Sequence, residues 1–163
     1  MVTEFGTNQT SSSRVFVDPQ TLFSLRVPEN WLIDTSGQQG TKVILLHPST
    51  DTPFRTNVNV TVPALHNLTA EEFLTLARLQ LKQLTGLPRP ERDEPACRPA
   101  GGHELEWSMA LGPIMIRTRQ LIIVDNANAY VVTATAPAES LVLYQRDFDI
   151  VFDSFHLQSS LRT

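Results

Sequence analysis

The feature that most constrains the fold is an alternation of apolar and polar residues over His103–Val124, broken once at Gly112-Pro113. On both sides of the break, apolar side chains recur at alternate positions, which is the period of a half-buried β-strand. When Leu111 is placed opposite Ile114, apolar residues meet apolar residues along the pair of segments. The stretch therefore predicts a long antiparallel hairpin.

A further strand and a helix are predicted after the hairpin. A turn cluster at Asp125–Asn128 precedes Tyr130–Thr135, which is rich in β-branched residues. From Leu141 the apolar spacing becomes that of a helix with one buried stripe. The stripe consists of Leu141, Tyr144, Phe148, Val151, Phe152 and Phe155. Leu143 and Ile150 lie nearly opposite this stripe, so either a second layer covers them or they are exposed.

The first half of the chain predicts several short strands and one helix. The strands are expected at Val15–Val17, Phe23–Val27, Trp31–Ile33, Lys42–His47 and Asn57–Val62. Thr69 and Glu72 have the spacing of a capping box, which predicts a helix from Thr69 to about Leu84, with Gly86 as its stop. Its buried stripe is expected to contain Phe73, Leu76, Ala77, Leu81 and Leu84. Gln80 interrupts that stripe.

The order of these elements predicts an α+β fold, because antiparallel strands joined by hairpins alternate with only two long helices. A chain of 163 residues with a hydrophobic fraction of 41% fits a single domain with one core. We expect a flexible tail at Met1–Arg14, the domain at residues 15–158 and a short C-terminal tail at 159–163. An irregular strand is also predicted within Asp93–Pro99.

Charge and hydropathy exclude some classes of partner. The net charge of −4 and the pI of about 5.5 argue against nucleic acid, which needs a basic surface. No apolar run approaches the length of a membrane span, so direct membrane insertion is not predicted. The polar first residues lack the apolar core of a signal peptide, which predicts a cytoplasmic protein. A homodimer is left open.

The residues that usually carry catalysis or bind metal are scattered. Four histidines occur, at His47, His66, His103 and His156. None stands at a metal-ligand spacing from another histidine, a cysteine or a carboxylate. The single cysteine, Cys97, lies between two prolines and away from any predicted helix N-terminus that would activate it. We therefore expect no catalytic residue, no metal site and no cofactor.

Two charge clusters are candidates for contact with a partner. The last predicted helix carries three aspartates, Asp147, Asp149 and Asp153. The last two share a helical face, which we expect to be solvated and able to meet a basic partner. The glycine and glutamate of an EF-hand loop are missing, so calcium is not predicted. Arg117 and Arg119 form a candidate anion-binding pair, although Glu106, opposite Arg119 in the hairpin, offers one of them a partner.

Several short motifs occur in an order that resembles one known superfamily. They are Phe23–Trp31, Asn57–Val60, the helix beginning at Thr69, Gln120, Tyr130–Thr135 and Asp153–Phe155. Together they resemble the PsbP-like superfamily, which includes the photosystem subunit PsbP, Ran-binding Mog proteins, DcrB-type proteins and Eag-type effector chaperones. The resemblance spans about Phe16 to Leu157 and implies an α-β-α sandwich with a central antiparallel sheet. It also implies protein binding without catalysis, and it does not choose among the partners.

Three hypotheses about function follow. The first is a non-catalytic module that binds a protein segment as a chaperone or adaptor, through Leu143 and Ile150, with Arg117 and Arg119 as further contacts. The second is an accessory subunit of a membrane or envelope complex. The third is a small enzyme with a dispersed active site, which would need a deep pocket holding a perturbed histidine or carboxylate.

Overall fold

The computed structural model describes residues 14–20 and 22–158. The tails predicted at 1–14 and 159–163 lie outside the described residues, apart from Arg14, which begins the first strand. The described elements, in chain order, are β1 (Arg14–Val17), β2 (Phe23–Val27), β3 (Leu32–Asp34), β4 (Val43–Leu46), β5 (Asn57–Thr61), α1 (Ala70–Thr85), β6 (Arg92–Pro95), β7 (His103–Leu111), β8 (Ile114–Val124), β9 (Ala129–Pro137), α2 (Leu141–Ser154) and β10 (His156–Leu157).

The strands form two antiparallel sheets. The larger sheet has seven strands in the order β3-β4-β5-β9-β8-β7-β6, and the smaller has three in the order β1-β2-β10. The hairpin of β7 and β8 has the predicted register, with Leu111 opposite Ile114 and Glu106 opposite Arg119. The α+β class is therefore confirmed.

The small sheet and α2 together cover one face of the large sheet. Phe148, Val151 and Phe152 of α2 are fully buried, and they share a core with Trp31 and the inward residues of β4, β5 and β9. Burying each such aromatic side chain contributes roughly 1.5–3 kcal/mol. The predicted stripe of α2 is confirmed, with Tyr144 only partly buried at its edge.

Helix α1 packs on the opposite face of the large sheet, which completes an α-β-α sandwich. Thr69 Oγ1 accepts a hydrogen bond from the Glu72 N–H at 3.1 Å, and Gly86 ends the helix, as predicted. The predicted buried stripe is wrong in part, because Leu76 and Leu84 are exposed and Leu74 is buried with Leu81. The true stripe is rotated from the predicted one.

An ion pair joins α1 to β6 on the side of the helix that faces the sheet. Arg78 binds Asp93 of β6 with two hydrogen bonds, Nε to Oδ2 at 2.7 Å and Nη2 to Oδ1 at 3.0 Å. Such bidentate geometry fixes orientation as well as distance. On the same side, Leu74 and Leu81 pack against Leu105 and Ile122 of the sheet, whereas Gln80 is exposed. Gln80 therefore does not interrupt the buried stripe.

Candidate functional site

An open surface groove of about 810 Å³ lies between the outer side of α2 and the neighbouring strand β2, and we call it the α2 groove. Its lining residues are Arg26, Val142, Gln145, Arg146, Asp149, Ile150, Asp153 and Ser154. All except Arg26 belong to α2, and they recur three or four positions apart because that spacing places side chains on one helical face. The buried stripe occupies the opposite face, so these residues remain accessible.

Apolar side chains lie at the N-terminal end of this groove. Val142 is 80% exposed and Leu143 is 75% exposed, the two largest values among the exposed large apolar residues of the described chain. Ile150 is half-buried and lines the groove with Val142, whereas Leu143 lies beside the groove and not in its lining. Of the two residues predicted from the sequence, only Ile150 lines the groove, and Val142 lines it as well.

An arginine outside α2 supports the wall of the groove. Arg98, in the loop between β6 and β7, donates from Nε to Glu104 Oε1 at 2.7 Å and from Nη1 to Asp153 Oδ1 at 2.8 Å. It also donates from Nη2 to Asp149 Oδ1 at 3.1 Å, and its guanidinium carbon lies 5.1 Å from the centre of the Phe152 ring. One side chain thus ties the loop, the sheet and α2 together.

Arg119 makes a second connection between the sheet and α2. Its Nη2 donates to Asp149 Oδ1 at 2.9 Å, and its guanidinium lies 5.2 Å from the centre of the Phe152 ring. Glu106 lies opposite Arg119 in the strand register, as predicted. However, the Glu106 carboxylate accepts its hydrogen bond from Arg117 Nε, at 2.7 Å. Arg117 also forms an ion pair with Glu91. Both arginines predicted to bind an anion therefore have carboxylate partners within the chain.

The acidic face of α2 is partly solvated, as predicted, and its two aspartates are also paired with these arginines. Burial alone would raise the pKa of Asp149, but the hydrogen bond and charge of Arg119, together with those of Arg98, outweigh it. The pKa of Asp149 therefore lies below its ordinary value. Burial also lowers the pKa of Arg98, and its hydrogen bonds to Glu104, Asp153 and Asp149 reverse that effect, so it remains charged.

The lowered pKa of Asp149 predicts a loss of stability in acid. The unfolded chain binds this proton first, so the contribution is complete above the unfolded pKa of about 3.9 and disappears as the pH falls through the lower folded value. Urea unfolding measured between pH 5 and pH 2 should show a steeper decline for the wild type than for Asp149→Asn. Equal slopes in the two proteins would contradict the assignment.

A second cluster lies at the other end of the hairpin. His103 Nε2 contacts Asp93 Oδ1, and the hydrogen bond from Arg78, assisted by His103, lowers the pKa of Asp93 against the effect of burial. An adjoining cavity of about 310 Å³ is lined by Ala70, Leu74, Pro95, Gly102, His103, Ile122 and Val124. Among these lining residues only His103 has an ionisable side chain.

Other candidates for chemistry are spread over the described surface. Within residues 14–20 and 22–158, no three histidines, cysteines or carboxylates are arranged to hold a metal ion. Cys97 is exposed in the loop between β6 and β7. No helix in this part of the chain is both long and apolar enough to cross a membrane.

Comparison with known proteins identifies the fold. No family model matches the chain, and no curated protein matches it. LpqN of Mycobacterium tuberculosis, described as involved in cell envelope biogenesis, is similar in structure with a TM-score of 0.65 at 12% identity, over 91% of this chain and 87% of LpqN. The PsbP protein CyanoP of Synechocystis sp. PCC 6803 has a TM-score of 0.63 at 14% identity, over 96% and 98% of the two chains. A protein of Bacteroides thetaiotaomicron is matched at 12% identity and a TM-score of 0.60, over 91% of this chain and 49% of its own.

These neighbours confirm the resemblance predicted from the order of the motifs, because the chain has the PsbP-like fold. At 12% to 14% identity, the comparison concerns the fold alone. The residues of the α2 groove carry the argument about function.

Proposed function

We propose that this protein is a non-catalytic accessory module that binds a segment of a protein partner in the α2 groove, as a chaperone or adaptor. The observation that carries the proposal is the pair Val142 and Leu143, which expose most of their apolar surface beside a groove with a fixed wall. Adjacent exposed apolar side chains on a folded domain usually mark an interaction surface.

The charges of the groove indicate what kind of segment fits. Asp149 and Asp153 both pair with Arg98, and Asp149 also pairs with Arg119. Arg26 and Arg146 also line the groove, and neither forms a salt bridge with any described residue. The groove therefore combines apolar side chains with two available guanidinium groups. An amphipathic segment with apolar residues and at least one carboxylate is complementary to it.

The other residues predicted to contact a partner have different positions in this proposal. Ile150 provides apolar surface inside the groove. Arg119 positions α2 through Asp149, and Arg117 lies further along β8 with Glu106 and Glu91. Direct contact of these two arginines with a partner stays a prediction, because each guanidinium would have to leave a carboxylate to make it.

For this binding role we propose a location in the cell envelope, and one structural neighbour supports it. LpqN, similar in fold, is described as involved in cell envelope biogenesis. This favours the accessory subunit of an envelope complex over the cytoplasmic chaperone predicted from the first residues of the sequence. The enzyme hypothesis would use the cavity beside His103, whose lining has one ionisable side chain and no serine, threonine or cysteine.

Affinity capture with matched variants tests the proposal. We expect Val142→Asp/Leu143→Asp to lose a protein partner that the wild type retains, because two desolvated carboxylates would oppose apolar contact. Leu76→Asp/Leu79→Asp on α1 is the matched control, since both leucines are also exposed and lie away from the groove. The partner should be identified by mass spectrometry, and circular dichroism should confirm that both variants are folded.

The outcomes separate the alternatives. Loss of the partner in the α1 variant alone would place the interface on the first helix and contradict the proposal. Absence of any partner in the wild type would also contradict it, and the His103 cavity would then be the next site to test with small molecules.

A further inference from the structure

The tip of the β7–β8 hairpin leaves part of a sheet edge open. Pairing between β6 and β7 ends where Arg92 lies opposite Glu106, whereas β7 continues to Leu111. Leu111 and Ile114 flank a two-residue turn, so their backbone groups exchange hydrogen bonds. Counting back from Leu111, every second residue of β7, beginning with Met109 and Trp107, also directs its backbone N–H and C=O towards β8. Ser108 and Ala110 consequently point theirs outwards, and no described backbone group pairs with them there.

This open edge lacks the protection that the other edges of the large sheet have. Strand β6 consists of Arg92, Asp93, Glu94 and Pro95, and charged residues and proline oppose edge pairing. Strand β3 is only three residues long and ends in Asp34. In contrast, Trp107–Ile116 contains no charged residue, and Ala110, Leu111 and Met115 are exposed. An uncharged edge with free donors and acceptors is suited to pairing with another strand.

We propose that this edge pairs with the same edge of a second copy of the chain, in an antiparallel arrangement centred on Met109. In this register, Ser108 of one copy exchanges hydrogen bonds with Ala110 of the other, and Trp107 lies opposite Leu111. No charged residues face one another across the pair. The two hairpins join the large sheets of both copies into one continuous sheet.

The length of the open edge favours a second copy over other strands. The Glu91 N–H donates to the Glu106 carbonyl at 2.8 Å. The chain leading into β6 therefore already occupies the edge of β7 at Glu106, the residue next to Trp107 on the side away from the hairpin tip. An incoming strand must therefore end opposite Trp107. The β7 strand of a second copy meets this condition, because it ends at Leu111 and its chain turns away at Gly112-Pro113.

Sedimentation velocity over a wide range of protein concentration tests the proposal. We expect a weak, concentration-dependent dimer, because the shared edge is short. Met109→Lys should raise the dissociation constant by about tenfold or more, since two lysines would lie directly opposite each other. Met115→Lys is the matched control: it adds the same charge to the same hairpin, on the strand that does not form the open edge. This variant should dimerise like the wild type.

A cysteine cross-link provides a second readout that does not depend on the lysine variant folding. In a Cys97→Ser background, Met109→Cys should form a disulfide-linked dimer under mild oxidation, because the opposed Cβ atoms lie within reach. Met115→Cys should not. A wild-type protein that is monomeric at all concentrations, equal weakening by both lysine variants, or equal cross-linking of both cysteine variants would overturn the proposal. None of these results bears on the α2 groove, which lies on another surface.

Discussion

Replacement of Gly102 by alanine is expected to lower the free energy of unfolding by about 4 kcal/mol or more, enough to unfold much of the protein. An added Cβ would lie 2.5 Å from the Ile122 carbonyl oxygen and 2.8 Å from Ile123 Cγ1. The first of these is a backbone atom of a central strand and cannot move without disturbing the sheet. The φ angle of +88° adds strain of its own, since only glycine adopts it readily.

A variant of the adjacent glycine distinguishes the effect of backbone strain from the effect of the close contact. Gly101 has a φ of +70°, and an added Cβ there would have no atom within 4 Å. Gly101→Ala should therefore show the backbone strain alone, about 1 kcal/mol. Guanidinium unfolding of both variants measures the difference. Similar losses in the two proteins would show that the close approach of Gly102 to Ile122 does not contribute to the loss of stability.

Replacement of Arg98 by alanine is the second variant for which we expect a large effect, a loss of about 3 kcal/mol. The Arg98 side chain is 11% exposed and that of its partner Glu104 is 9% exposed. Removing the guanidinium leaves a buried carboxylate with only a distant contact to Arg92, at 3.8 Å. It also releases Asp153 and leaves Asp149 paired with Arg119 alone, so the wall of the α2 groove should loosen along with the loss of stability.

Arg92→Ala is the control for Arg98→Ala. Arg92 contacts Glu104 and Glu106 at 3.8 and 3.7 Å, but its side chain is 42% exposed. Exposed ion pairs contribute little, so the loss should be below about 1 kcal/mol. Urea unfolding at neutral pH compares the two. If Arg92→Ala were the more destabilising, the support of α2 would have to be assigned to β6 and not to the loop.

The parts of the fold that could be predicted from sequence are those with local periodicity. The register of β7 and β8 follows from alternation on both sides of one turn, and the stripe of α2 follows from a single helical period. The buried face of helix α1 is harder to predict from sequence, because leucines occur on more than one of its faces. The sheet residues against which Leu74 and Leu81 pack, such as Leu105 and Ile122, lie far along the chain, so no local pattern identifies the buried face.

The α2 groove could be predicted only in part. The pattern of α2 indicated that one side carries apolar residues outside the buried stripe, and it led to Leu143 and Ile150. The pattern of α2 could not show that Arg26 of β2 lies beside this helix. The groove between them is lined by Val142 and not by Leu143. Arg98 gave no signal either, because it belongs to a proline-rich loop 55 residues from Asp153 and meets it only in the folded chain.

The most direct test of the central claim, that α2 binds a protein partner, is site-specific photo-cross-linking in the source cells. A photoreactive amino acid placed at Leu143 lies beside the groove on a residue that is mostly exposed and does not support the fold. The same amino acid at Leu79 of α1 is the control. We expect one defined protein adduct from position 143 and none from position 79. No adduct at 143, or the same adducts from both positions, would contradict it.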